Sequence, residues 1–213
     1  MKTAPLRFLF LLPWIFAPLF AQAQVNALSD GKTFAGWEGD TNRTWRIVDG
    51  AFVGGSLEHE VPRNEFLATH RTYTNFVLKL KFKLVGTEGF VNAGVQVRSV
   101  RVTDPPNEMR GYQADIGEGW WGALYDESRR NKVLVQPDAD AVREALKPGD
   151  WNSYTIRCQG PRIRTWINDT PMIDYTETDD TIPQHGLIGL QIHGGAKAEV
   201  SYKDLVIEEL PAP

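Results

Sequence analysis

A single cysteine, Cys158, in 213 residues excludes an internal disulfide. It shares the apolar parity of Tyr154 and Ile156, so it reads as a small buried hydrophobe rather than a nucleophile. Positive charge is also short. Lys and Arg total 23 against 27 Asp and Glu, a formal net charge of −4, and this gives no electrostatic case for nucleic acid. Helical periodicity is scarce: Asp140 to Lys147, stopped by Pro148-Gly149, is the one fair helix candidate. A serine hydrolase would need a G-x-S-x-G elbow, which is missing. Glu58-His59-Glu60 lacks the second histidine one helical turn later, so it is not a metalloprotease motif.

Long apolar runs are confined to Phe8–Phe20, too short to span a bilayer comfortably. Lys2 and Arg7 precede it, and Ala21-Gln22-Ala23 follows as a small-x-small cleavage site. Residues 1–23 are therefore expected to be a signal peptide, with the mature domain at 24–213 exported, periplasmic or secreted, and with no membrane span after cleavage. No cysteine follows the cleavage site, which excludes lipid attachment there.

What is present is β structure. Phe76, Leu78, Leu80, Phe82 and Leu84 alternate with Val77, Lys79, Lys81 and Lys83: one core face, one face in water. Asp49-Gly50 and Asn168-Asp169 mark hairpin turns. Roughly a dozen short strands, with no internal repeat or linker, predict an all-β sandwich of two antiparallel sheets.

Three strands carry a different outer face. Asn92, Gln96 and Arg98 lie opposite Ala93, Val95 and Val97. Gln113 and Asp115 lie opposite Tyr112, Ala114 and Ile116, and Gln191 and His193 lie opposite Ile188, Leu190 and Ile192. Amides, an Arg, an Asp and a His can read hydroxyls and move protons. The loop after Ile116 adds Trp120, Trp121 and Tyr125, rings suited to the C–H face of a sugar. Gly117, Gly119 and Gly122 fit a dinucleotide fingerprint, but no βαβ context surrounds them, so that reading is rejected.

Asn92-Ala93-Gly94-Val95-Gln96-Val97-Arg98, Gly111 to Ile116, Trp120 to Glu127, Gly149 to Asn152 and Gly189 to Gly195 together resemble the 3-keto-disaccharide hydrolase domain family. Where many members carry a Tyr-Glu-x-Gln strand, this chain has Tyr112-Gln113-Ala114-Asp115. The resemblance implies a concanavalin A-like jelly roll that cleaves glycosides oxidised to a ketone at C3. Such a ketone acidifies the C2 proton, so a base can form an enolate that expels the C1 oxygen, with water adding later. On that basis Asp115 or His193 is the candidate base, and Arg98 with Gln96 the enolate stabilisers. His193 or Glu118 is the candidate acid. Asn92, Gln113, Gln191, Trp120, Trp121 and Tyr125 would bind the sugar. A divalent metal could polarise the oxygens, with His193, Asp115 and His59 as candidate ligands, but no spacing is diagnostic. The expected partner is a 3-keto glucoside or disaccharide. A non-catalytic carbohydrate-binding module is the alternative; a laminarinase-type glycosidase would need a Glu-x-Asp-x-x-Glu strand, which is absent.

Overall fold

Alternating side chains give each strand one apolar face, and the chain buries those faces by stacking two sheets. The computed structural model describes residues 24–213; the expected signal segment lies outside them. The back sheet contains β1 (Val25–Ala27), β3 (Trp45–Val48), β4 (Ala51–Ser56), β6 (Phe76–Gly89), β11 (Asn152–Gln159), β12 (Arg162–Ile167), β13 (Thr170–Thr176) and β15 (Ala196–Glu209). The front sheet contains β2 (Trp37–Glu38), β5 (Glu65–Thr69), β7 (Asn92–Arg101), β8 (Met109–Gly117), β9 (Leu124–Glu127), β10 (Lys132–Val135) and β14 (Leu187–Ile192). The back sheet runs β13-β12-β11-β6-β15-β4-β3 with β1 on β15, and the front sheet runs β10-β9-β8-β7-β14-β5-β2. The pairings are antiparallel throughout, so the expected two-sheet sandwich is what forms.

The core follows the parity read from the sequence. Phe76, Leu78, Leu80 and Phe82 of the back sheet meet Ala93, Val95, Tyr112, Ala114 and Ile116 of the front sheet in one buried cluster. Cys158 is fully buried within it, and burial pushes its thiol up to about 12, far from a nucleophile's range. Tyr202 crosses the core: its Oη lies 3.0 and 2.9 Å from the carbonyl oxygens of Gly94 and Gln191, tying β15 to the backs of β7 and β14. Those two strands carry the outer polar residues, so this bond fixes the floor of the site from behind.

Local signals place the turns. Asn168 and Asp169 both adopt positive φ (48° and 66°), as a two-residue hairpin requires. The helix α1 (Ala139–Ala145) starts where Asp138 accepts hydrogen bonds from the amides of Asp140 and Ala141, each 3.0 Å. β4 runs on through Gly54 and Gly55, which pair with Val200 and Glu199 of β15.

Candidate active site

The polar parity positions converge. On the outer face of the front sheet, Gly94 pairs with Asp115, Gln96 with Gln113, Gln113 with Tyr125, and Gln191 with Gly94. A pocket of about 200 Å³ opens there, lined by Phe90, Asn92, Gln113, Asp115, Trp120, Tyr125, Glu127 and His193.

The loop from β8 to β9 forms its aromatic wall. Backbone bonds from Trp120 N to Gly117 O and from Gly122 N to Asp115 O fold it tightly, with Gly119 and Gly122 in the left-handed region. The turn sends Trp120 to the pocket, edge-on to Tyr125 at 5.8 Å between ring centres and to Phe90 at 6.4 Å. Phe90 in turn stands edge-on to the His193 ring at 4.8 Å.

The floor is a hydrogen-bonded row. Ser99 Oγ donates to Gln96 Oε1 (2.5 Å), Gln96 Nε2 donates to Gln113 Oε1 (2.9 Å), and Gln113 Nε2 donates to Asp115 Oδ1 (2.8 Å). The row fixes the orientation of Gln113, because its amide must accept at one end and donate at the other. It also explains Gly94. A Cβ there would sit 2.6 Å from the Gln113 side chain, so only glycine lets that amide lie across β7.

Asp115 is buried and its Oδ2 has no hydrogen-bond partner. Burial, with a smaller contribution from Glu127, pushes its carboxyl up to about 8 despite the bond from Gln113. Glu127 is pushed up to about 7 by burial and by the nearby Glu108 carboxyl. At neutral pH the Asp115 carboxyl is thus held mainly in its protonated form, with Oδ1 engaged by Gln113 and Oδ2 buried. His193 has the complementary polarity. Its Nδ1 lies 2.7 Å from the Gly194 carbonyl, which can only accept, so Nδ1 carries a hydrogen; in the neutral ring Nε2 is then the acceptor.

Several expected site residues are not brought to this pocket. Arg98 is the main correction. β7 is bulged between Val97 and Val100, and Arg98 itself has φ 51°. The bulge breaks the parity, so the buried guanidinium turns away to donate to Thr74 O (2.8 and 2.5 Å) and Gly160 O (2.7 Å). It cannot stabilise an enolate in the pocket. Glu118 is exposed at the loop and does not line the pocket. Trp121 points the other way and stacks on Phe82 at 6.4 Å and 21°. Gln96 is fully buried beneath Gln113, so it orients another side chain rather than lining the wall. Gln191 is fully buried on the floor, and both polar atoms of its amide are unpartnered. His59 lies in a separate cleft. Among the described residues no group of three or more His, Cys, Asp or Glu side chains is set to hold a metal ion.

Glu127 and Phe90 line the pocket but were absent from the sequence-level candidates. Glu127 had a usable signal, since it lies two residues beyond Tyr125 on β9 and so on the same face.

The fold and the site define a class: a concanavalin A-like sandwich carrying buried acids and a histidine under an aromatic wall. The chain belongs to the 3-keto-alpha-glucoside-1,2-lyase-like domain family, also called 3-keto-disaccharide hydrolase, whose model matches residues 24–208. It is similar to a protein from Parabacteroides distasonis assigned as a glycosyl hydrolase, at 22% identity and TM-score 0.63, covering 88% of this chain and 100% of that one. It is similar also to the carbohydrate binding module CBM66 from Bacillus subtilis, at 15% identity and TM-score 0.62, covering 82% and 96%. A lichenase from a mouse hindgut metagenome matches at 11% identity and TM-score 0.53, covering 87% and 98%. At these identities the likeness establishes the fold alone. No curated protein sequence matches the chain.

Proposed function

We propose that the domain cleaves 3-keto-glucosides by removing the C2 proton and eliminating the C1 oxygen, with water then adding to the enone. The observation that carries this reading is that His193 and Asp115 line one pocket, the imidazole oriented by the bond of its Nδ1 to the Gly194 carbonyl and the carboxyl held protonated by burial. His193 takes the C2 proton. The C–H electron pair moves toward the C3 oxygen as the enolate forms and returns to make the C1–C2 double bond as the C1–O bond breaks. Asp115 gives its proton to the departing oxygen. Donor and acceptor are separate groups, so neither must serve both steps at once. Trp120, Tyr125 and Phe90 offer C–H stacking surface, and Asn92, Gln113 and Glu127 offer polar contacts to the ring hydroxyls.

This chemistry needs no oxocarbenium ion and no pair of carboxylates set across a glycosidic bond. The family description supports the substrate class. The N-terminal segment supports an exported enzyme. The test is incubation with a 3-keto-glucoside and with its unoxidised parent. Release of aglycone from the ketone alone supports the reading; release from both alike, or from neither, removes it.

The binding-module alternative draws on the likeness to a carbohydrate binding module. It would keep the aromatic wall without needing Asp115 protonated or His193 polarised. Asp115→Asn and His193→Gln would then leave sugar affinity unchanged, and no turnover would exist to lose.

A further inference from the structure

The proposed elimination leaves one charge unattended. As C2 loses its proton, negative charge gathers on the C3 oxygen, and Arg98, the cation expected to meet it, is turned away from the pocket. A buried neutral donor would meet that charge at any pH.

Asn92 has these properties. It opens β7, is 3% exposed and lines the pocket. Its place is fixed on both sides. His193 N donates to Asn92 O (3.0 Å), which joins Asn92 through backbone to the residue that bears the imidazole. On the other side Asn92 pairs with Gly117, where a Cβ would lie 2.8 Å from Asn92 Nδ2, so glycine makes room for the amide. β7 runs between β14 and β8 in the front sheet, and Asn92 thus stands between the strand that leads to His193 and the strand that carries Asp115. The amide lies beside the Asp115 carboxyl, whose ionised form it favours less than Gln113 does. An amide carries two hydrogens, so at least one is left for a ligand. C1, C2 and C3 are consecutive atoms of the sugar, and the groups that serve them have to be neighbours, as these three are.

Other polar groups of the lining suit this task less well. Gln113 is engaged at both ends, by Gln96 and by Asp115. Glu127 is pushed up to about 7 and so holds its proton only in part at neutral pH. Trp120 and Tyr125 are half-buried rings of the wall, and a donor shared with water stabilises charge less.

We infer that Asn92 is a catalytic residue whose amide donates a hydrogen bond to the C3 oxygen as the enolate forms. The proton passes from C2 to His193, the electron pair moves to the C3 oxygen, and no covalent bond to Asn92 is made or broken. The inference rests on the activity proposed above and adds to it the donor for the developing oxyanion.

The test compares methyl 3-keto-glucoside with 4-nitrophenyl 3-keto-glucoside, whose leaving group needs no acid. Kinetics are measured for wild type, Asn92→Ala, Asn92→Asp and Asp115→Asn, with melting temperatures taken for all four. In both Asn92 variants kcat should fall about a hundredfold or more, by the same factor on the two substrates, while KM stays within about threefold of wild type. Asp115→Asn should instead lose much less on the nitrophenyl substrate than on the methyl one. Asn92→Asp matches the amide in shape, which keeps the comparison informative if Asn92→Ala folds poorly. A raised KM with kcat retained would make Asn92 a hydroxyl contact and overturn the assignment, and a loss confined to the methyl substrate would overturn it by moving Asn92 to the leaving oxygen; both leave the activity standing. A wild type that cleaves neither substrate overturns the activity and the assignment with it.

Discussion

Asp115 is the residue at which stability and the proposed chemistry pull in opposite directions. Its carboxyl ordinarily titrates near 3.8 and is pushed up to about 8 here. Between these values the unfolded chain has released the proton and the folded chain still holds it. Stability therefore falls as pH rises from about 4 to about 8, and is level above that. Asp115→Asn keeps the acceptor for Gln113 and removes the titration. The variant should be more stable than wild type at pH 8, by an amount on the order of several kcal/mol, and the gap should close as pH falls toward 4. Denaturant midpoints at pH 4, 6 and 8 measure it; a gap that widens toward acid would contradict the assignment. The same proton sets a kinetic expectation. If Asp115 is the acid, turnover is present below about pH 8 and declines above it. Asp115→Asn should lose this alkaline limb along with about a hundredfold or more of the rate, seen in a pH–rate profile.

At the scale of the strand, β7 decides which side chains the pocket receives. Its first half obeys strict parity and delivers Asn92 to the pocket wall and Gln96 to the floor; the bulge then removes Arg98. The alternation that places Gln113, Asp115 and His193 together is local and legible in the sequence, because a period of two needs only neighbouring residues. The bulge is not. Arg98 sits at positive φ within it, and the carbonyls that take its donors, at Thr74 and Gly160, are distant in sequence. The choice between Trp120 and Trp121 was closed to sequence reading for a similar reason: adjacent rings diverge according to a turn, and Phe82 claims one of them. Two substitutions test this element. Arg98→Met should cost about 2–5 kcal/mol by stranding the buried Gly160 carbonyl and unfastening Thr74, while kcat/KM of the folded fraction stays near wild type. A selective loss of kcat at full stability would return Arg98 to the chemistry. Gly94→Ala should push Gln113 off Asp115, lowering kcat by about tenfold or more and shifting the alkaline limb of the pH–rate profile.

Across the whole molecule, the sandwich was legible because its strands alternate, and the core required nothing beyond that. Less visible were the polar ties at the ends of the sheets. Glu177, just past β13, accepts from Tyr112 of β8 (2.7 Å), Tyr175 (3.0 Å) and Arg130 (2.6 Å), and Arg130 also contacts the fully buried Asp126. Burial opposes its ionisation, but the bonds from Arg130 and Tyr112 outweigh this and hold the carboxyl down at about 2. The network ties the front sheet, through β8 and β9, to β13 of the back sheet, behind the face that bears the pocket. Glu177→Ala should cost about 3–5 kcal/mol by taking one of two carboxylates from Arg130 and leaving the buried Tyr112 hydroxyl without its acceptor, read as a lower denaturant midpoint. A change within about 0.5 kcal/mol would mean the network contributes little.

The central claim is that one pocket moves a proton from C2 of an oxidised sugar to His193 while Asp115 protonates the leaving oxygen. Turnover of a 3-keto-glucoside in deuterium oxide, followed by NMR of the sugar product, addresses it directly. The account predicts deuterium at C2 in the wild-type product and neither cleavage nor exchange in His193→Gln. Cleavage that leaves the original C2 hydrogen in place would contradict it.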